Sequence, residues 1–110
     1  MDIKEIKQLT KQNYHEIISW RRHLHKHPEL SFEEFDTSDF IAEKLSEMGY
    51  EIKRNVGGTG VVANFDTGIP GPVIAFRADM DGLPILEETG LPFESENIGV
   101  MHGCGHDGHM

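Results

Sequence analysis

The length, composition and charge of this 110-residue sequence exclude several classes of protein. Its 37% apolar and 26% charged residues suit a folded domain with its own core rather than a disordered chain. The formal net charge of −9 argues against a nucleic-acid partner. No apolar run approaches the ~20 residues that cross a bilayer, and the polar start lacks a signal-peptide core, so by default we expect a cytoplasmic protein without a membrane partner.

The first predicted helix ends near His25, because Pro28 disfavours helical geometry in the residue before it. Apolar residues recur at helical spacing up to Leu24. Asn13, followed three residues later by Glu16, has the pattern of a helix start. The first dozen residues are therefore expected to form a separate turn or a frayed extension.

The second predicted helix has signals at both ends. Ser31 and Glu34 have the spacing of a capping box, in which each side chain bonds to a backbone N–H at the other's position. Leu30 and Phe35 are placed to pack against each other across that start as a hydrophobic staple. Gly49 is expected to end the helix in the left-handed conformation.

Three short strands are predicted next, over residues 50–54, 60–65 and 73–77, with glycine-rich turns between them. Residues 83–100 have no periodicity and are punctuated by glycine and proline, which predicts an irregular loop. Helices that lead into several strands indicate an α/β or α+β arrangement of layers.

The strongest chemical signal lies at the end of the sequence, where three histidines and the single cysteine alternate with glycines. If this segment is extended, His102, Cys104 and His106 point to the same side. A thiolate with imidazoles is a ligand set that suits zinc, and imidazole also binds nickel, cobalt and iron. The spacing matches no structural zinc finger, so a catalytic metal site is the better interpretation.

Two acids follow the third predicted strand. Asp79 and Asp81 lie on the same side of an extended chain, and a carboxylate there could bind a metal or accept the second N–H of a ligating imidazole. Alone the pair also fits a polar strand end. The basic and histidine residues of the first helix are interpreted as a solvated face, and Glu87 and Glu88 as part of a solvated loop.

Two alternatives stay open from the residues alone. Cys104 could be the nucleophile of a thiol hydrolase with a histidine as its base. The glycine-rich segment could also be a turn that happens to contain histidines around a buried cysteine.

Four motifs that occur in order along the chain resemble those of the M20 metallopeptidases, and specifically their amidohydrolase branch. That branch includes N-acyl-amino-acid amidohydrolases, hippurate hydrolases and N-acetyldiaminopimelate deacetylases. The motifs are RHLHKHPELSFEE (22–34), GTGVVA (58–63), FRADMDGLPI (76–85) and MHGCGHDGHM (101–110). The resemblance implies that residues 1–110 are the N-terminal portion of a catalytic domain with a three-layer α/β/α sandwich.

The resemblance also implies roles for individual residues. Cys104 and His106 match metal ligands, and Asp81 matches the catalytic aspartate. Asp79 sits where related branches have a ligating histidine, so its role is left open. Four further residues could contact the metal ligands without binding the metal themselves: Asp79, His102, Asp107 and His109.

The implied activity is hydrolysis of the amide bond of small N-acyl amino acids by water activated at two divalent ions, which could be zinc, manganese, cobalt or nickel. The general base, the other ligands and a lid or dimerisation domain are not within these residues, so we expect a truncated chain with little activity alone and a homodimeric parent. The alternatives are a non-catalytic metal-binding remnant and an exopeptidase acting on short peptides.

Overall fold

The computed structural model describes all residues, 1–110, and begins with one long helix, α1 (Ile3–Lys26). The Asp2 carboxylate accepts hydrogen bonds from the backbone N–H groups of Lys4 and Glu5, and the Glu5 carboxylate accepts from the N–H of Asp2. This capping box makes the predicted start at Asn13 wrong, because Asn13 lies inside a continuous helix and donates to the Leu9 carbonyl. The predicted end near His25 is confirmed to within one residue.

The second helix, α2 (Phe35–Glu47), begins later than its local signals predicted. The Ser31–Glu34 capping box does not form, because both side chains bond to distant residues instead. The Glu29 carboxylate caps the helix, accepting from the N–H groups of Asp36 and Thr37 at 3.1 and 2.6 Å.

The apolar staple predicted across the start of α2 is also wrong, since Phe35 is 64% exposed. The helix ends as expected. Gly49 has φ +90°, and the N–H groups of Gly49 and Tyr50 bond to the carbonyls of Ser46 and Leu45. Local sequence therefore determined the end of α2, whereas tertiary contacts determined its start.

A two-stranded antiparallel sheet follows, formed by β1 (Glu51–Val56) and β2 (Gly60–Asn64). Glu51 pairs with Asn64, and the turn between the strands contains two glycines in the left-handed region. The third predicted strand, over residues 73–77, is wrong because that segment pairs with no other strand. Val73 and Phe76 are correspondingly 98% and 96% exposed.

Residues 83–100 contain no helix or paired strand, as predicted. Single bridges hold the segment at its start: Leu30 pairs with Gly82, and Leu83 pairs with Met101. The chain ends in a one-turn helix, α3 (His106–His109), which follows Gly105 at φ +97°. The buried apolar core of the whole chain is small and contains Leu24, Ala42, Val100 and Pro28.

Gly82 lies where two segments meet closely. Its N–H donates to the Glu29 carbonyl at 2.7 Å, and a Cβ at this position would lie 3.1 Å from the Pro28 Cβ and 3.2 Å from a Val100 methyl. Gly82→Ala is therefore expected to lower the free energy of unfolding by about 1–3 kcal/mol, measured by chemical denaturation. Gly71→Ala is the matched control, because an added Cβ there meets no atom within 4 Å. Equal stability of the two variants would contradict the crowding argument.

Candidate metal-site residues and their neighbours

His106 and Asp81 come together although 25 positions separate them. The Nδ1 atom of His106 lies 3.0 Å from the Asp81 carbonyl oxygen and 3.0 Å from its Oδ1. A backbone carbonyl can only accept, so Nδ1 must donate. In the neutral ring, the Nε2 atom of His106 then keeps its lone pair for another partner.

Ser31 holds the other side of the Asp81 carboxylate. Its hydroxyl donates to Oδ2 at 2.9 Å. This hydrogen bond is the largest cause that lowers the pKa of Asp81, and the His106 ring adds to the effect against the opposing influence of burial. Asp81 is thus a fixed carboxylate between a hydroxyl and an imidazole.

His102, Cys104 and His106 do not lie on one extended strand, which is the condition under which they would point to the same side. Cys104 is exposed and His102 is only 4% exposed. The left-handed Gly105 turns the chain into α3, so the alternation of a strand is not maintained. Neither ring nitrogen of His102 has a hydrogen-bond partner, and burial lowers the pKa of this imidazole.

Asp107 is buried against α1 and makes no hydrogen bond to Cys104. Its Oδ2 atom lies 2.9 Å from the Nε atom of Arg21 and 2.9 Å from the Nδ1 atom of His25. The side chain is 1% exposed. Asp107 therefore joins the one-turn helix α3 to the end of the long helix α1.

Glu87 lies on the opposite side of His25. Its two carboxylate oxygens are 2.9 and 3.0 Å from the His25 Nε2 atom, and the carboxylate also accepts from the Thr89 hydroxyl and the Ser95 N–H. Burial raises the pKa of Glu87, but these hydrogen bonds together outweigh it and lower the pKa. The interpretation of Glu87 as a solvated loop residue is wrong, because its side chain is 2% exposed.

Two of the other candidates stand apart. The Asp79 carboxylate pairs with Arg77 and does not bond to His106. His109 is exposed, and its ring centroid lies 6.3 Å from that of His106. The structure thus brings Asp81 to His106 and Asp107 to His25, and leaves Asp79 on the surface.

Sequence reasoning missed three residues that build this region: Ser31, His25 and Glu87. Ser31 has the sequence spacing of a helix cap, and its local pattern contains nothing that points to Asp81. For His25 a signal existed, because a histidine one turn after Arg21 on a helix is spaced to share one partner with it.

Cys104 and His106 carry a thiol and an imidazole, which are donor types that zinc and its neighbours in the transition series accept. No group of three or more His, Cys, Asp or Glu side chains lies close enough to hold an ion. Further ligands would be needed to complete the coordination.

Comparison with known proteins finds similarity to a peptidase family and to a named amidohydrolase. Residues 75–110 match the model of peptidase family M20/M25/M40. The chain is 51% identical over 110 residues to the N-acyl-L-amino acid amidohydrolase of Geobacillus stearothermophilus, a match that covers 99% of this chain and 30% of that protein. The chain is homologous to the M20 peptidases. The M20 resemblance inferred from the motifs is thereby confirmed.

Two further comparisons agree with this result. The hippurate hydrolase of Campylobacter jejuni is 48% identical over 89 residues, which are 81% of this chain and 23% of that protein. The crystal structure of YxeP from Bacillus subtilis, a dinuclear metal-binding peptidase of the M20 family, superposes with a TM-score of 0.84 at 49% identity. That match covers 90% of this chain and 28% of YxeP.

The YxeP superposition confirms the predicted fold class as part of an M20 fold. The chain spans less than a third of the length of the relatives that it matches.

The helices of this chain include none with the length and apolar character that a membrane span requires.

Proposed function

We propose that this chain provides part of the active site of a metal-dependent amidohydrolase, with Cys104 and His106 as metal ligands and Asp81 as the catalytic aspartate. The observation that supports this most is the pair of acceptors, both on Asp81, that face the Nδ1 atom of His106. They fix the ring and its tautomer, so that Nε2 is directed away from Asp81 as an electron-pair donor.

In the mechanism, the negative charge of Asp81 raises the basicity of the His106 ring and stabilises any positive charge that develops on it. Ser31 keeps the carboxylate in one rotamer by donating to the oxygen that His106 does not use. Two divalent ions, which could be zinc, manganese, cobalt or nickel, would activate a water molecule and polarise the scissile carbonyl. The remaining ligands and the general base would come from outside residues 1–110.

The proposed substrates are small N-acyl amino acids, because the relatives named above include an N-acyl-L-amino acid amidohydrolase and a hippurate hydrolase. Residues 1–110 would then form the N-terminal portion of the catalytic domain of a cytoplasmic enzyme, with a homodimer as the assembled form. An exopeptidase acting on short peptides is the neighbouring activity within the family.

A cobalt titration of the chain tests the proposed ligands. We expect weak binding with a cobalt–thiolate charge-transfer absorption, because two protein ligands form an incomplete site. Cys104→Ser should abolish the absorption, and His106→Ala should weaken binding by about 10-fold or more. The matched control is His15→Ala, since His15 lies on the exposed part of α1. An absorption that survives Cys104→Ser would contradict the ligand assignment.

Chelation of the active enzyme separates the metal mechanism from a thiol mechanism. Hydrolysis of N-acyl amino acids should stop on chelation and return on addition of metal. A thiol hydrolase would survive chelation and lose activity on alkylation of Cys104. Metal binding without any turnover would instead support a non-catalytic module.

A further inference from the structure

A buried charged cluster next to the proposed metal ligands has no part in the mechanism above. It consists of Arg21, His25, Glu87 and Asp107. The side chains of His25, Glu87 and Asp107 are 5%, 2% and 1% exposed, whereas Arg21 is 46% exposed. The cluster makes no hydrogen bond to Cys104 or to the His106 ring, so its role lies in the segments of the chain that it joins.

His25 is the centre of the cluster. Its Nδ1 atom bonds to Asp107 and its Nε2 atom to Glu87, each at 2.9 Å. Carboxylates accept hydrogen bonds, so both ring nitrogens of His25 donate. One imidazole therefore joins three parts of the chain: the end of α1, the irregular segment 83–100 and the one-turn helix α3.

Asp107 is the link between this cluster and the metal ligands. It follows His106 directly, and Gly105 in the left-handed region separates His106 from Cys104. A four-residue helix contributes little stability of its own, so its position depends on its tertiary contacts. Arg21 and His25, one helical turn apart on α1, provide two of these contacts by donating to the same oxygen of Asp107.

His106 is consequently held at two points. Asp81 holds its ring, and the Asp107 contacts hold the adjacent backbone. The ring can meet Asp81 at 3.0 Å only if the backbone of α3 is kept at the correct distance. A buried ion cluster can add little net stability and still enforce a single arrangement of the groups that it joins.

We propose that His25 is a positioning residue of the metal site, acting through Asp107 on the placement of His106. Glu87 completes the arrangement by fixing the second nitrogen of His25, so the imidazole cannot turn away from Asp107. The proposal rests on the proposed function for what the site binds, but the placement of His106 can be measured without metal.

Long-range ¹⁵N–¹H NMR of the metal-free chain at neutral pH reports the tautomer of His106. In the unmodified chain we expect the Nδ1-protonated form that the Asp81 contacts require. His25→Gln should shift part of the population towards the Nε2-protonated form, because the ring loses its alignment with Asp81. His23→Gln is the matched control: His23 lies on the same helix but stacks on Phe40 and does not contact Asp107.

Arg21→Met provides a second measurement in case His25→Gln does not fold. It removes one of the two donors to Asp107 from a half-exposed position, and should cause a smaller shift in the same direction. An unchanged His106 tautomer in folded His25→Gln would overturn the proposal. If that variant is unfolded, an unchanged tautomer in Arg21→Met would overturn it.

Cobalt affinity distinguishes failure of this proposal from failure of the proposed function. His25→Gln should weaken cobalt binding by about 10-fold, as loss of support behind a ligand does. If the unmodified chain shows no cobalt–thiolate absorption, the ligand assignment fails while the tautomer measurement still decides the role of His25. If cobalt binds and the tautomer does not change, only the role of His25 is refuted.

Discussion

Asp81→Asn is expected to lower the turnover number of the active enzyme by about 100-fold while its metal content stays near normal. The asparagine carbonyl can still accept from the His106 Nδ1 atom, and its amide can still meet the Ser31 hydroxyl, so the ring should remain in place. What is lost is the negative charge beside the imidazole. The measurement is kcat for an N-acyl amino acid together with metal analysis of the purified variant.

Asp79→Asn is the matched control for that variant, since it changes the same side chain two residues away. The Asp79 carboxylate pairs with Arg77 and does not touch His106, so we expect a change in kcat of severalfold at most. Equal losses in the two variants would show that Asp81 has no special role. Loss of metal in Asp81→Asn would mean that its charge is needed for binding rather than for turnover.

Glu87→Ala is expected to lower the free energy of unfolding by about 3 kcal/mol, because it leaves the buried His25 Nε2 atom without a partner. The Thr89 hydroxyl and the Ser95 N–H lose the same acceptor. Chemical denaturation at neutral pH would measure the loss.

Glu88, the residue after Glu87, provides the matched control, because it is exposed and makes no hydrogen bond through its side chain. Glu88→Ala should change the free energy of unfolding by no more than about 0.5 kcal/mol. If the two alanine variants were equally stable, the His25–Glu87 contact would contribute nothing to the fold.

The loss caused by Glu87→Ala should also depend on pH. The pKa of Glu87 is lower in the folded chain than in the unfolded chain, so the unfolded state binds more protons between the two values. The stabilisation is therefore complete above the ordinary glutamate pKa of about 4.3 and decreases as the pH falls through the folded value. The stability difference between Glu87→Ala and the unmodified chain should narrow on acidification, and a constant difference would contradict the pKa direction.

The two ends of α2 show how far local sequence can predict this fold. The turn at Gly49 needs only a residue that tolerates positive φ, so its position could be read from the sequence. The start could not be predicted, because the Ser31 and Glu34 side chains had stronger partners in Asp81 and Thr59, which lie 50 and 25 residues further along the chain.

The segment 73–77 illustrates a second limit. Its apolar content indicates a strand, but a strand is defined by the partner to which it is hydrogen-bonded. The β1–β2 sheet does not extend to it, and Val73 and Phe76 are left exposed. A sequence pattern can indicate that a segment is suited to a sheet without showing which strand lies beside it.

Residue type and spacing along the chain were sufficient to predict the helix ends that depend on Pro28 and Gly49. The resemblance of four ordered motifs to those of M20 enzymes supplied Cys104, His106 and Asp81 as candidates. Contacts between distant segments show that Asp81 rather than Asp79 meets His106, and that His25 and Glu87 are buried partners rather than surface groups. Those outcomes depend on which distant segments share one small interior, and spacing along the chain contains no information about that.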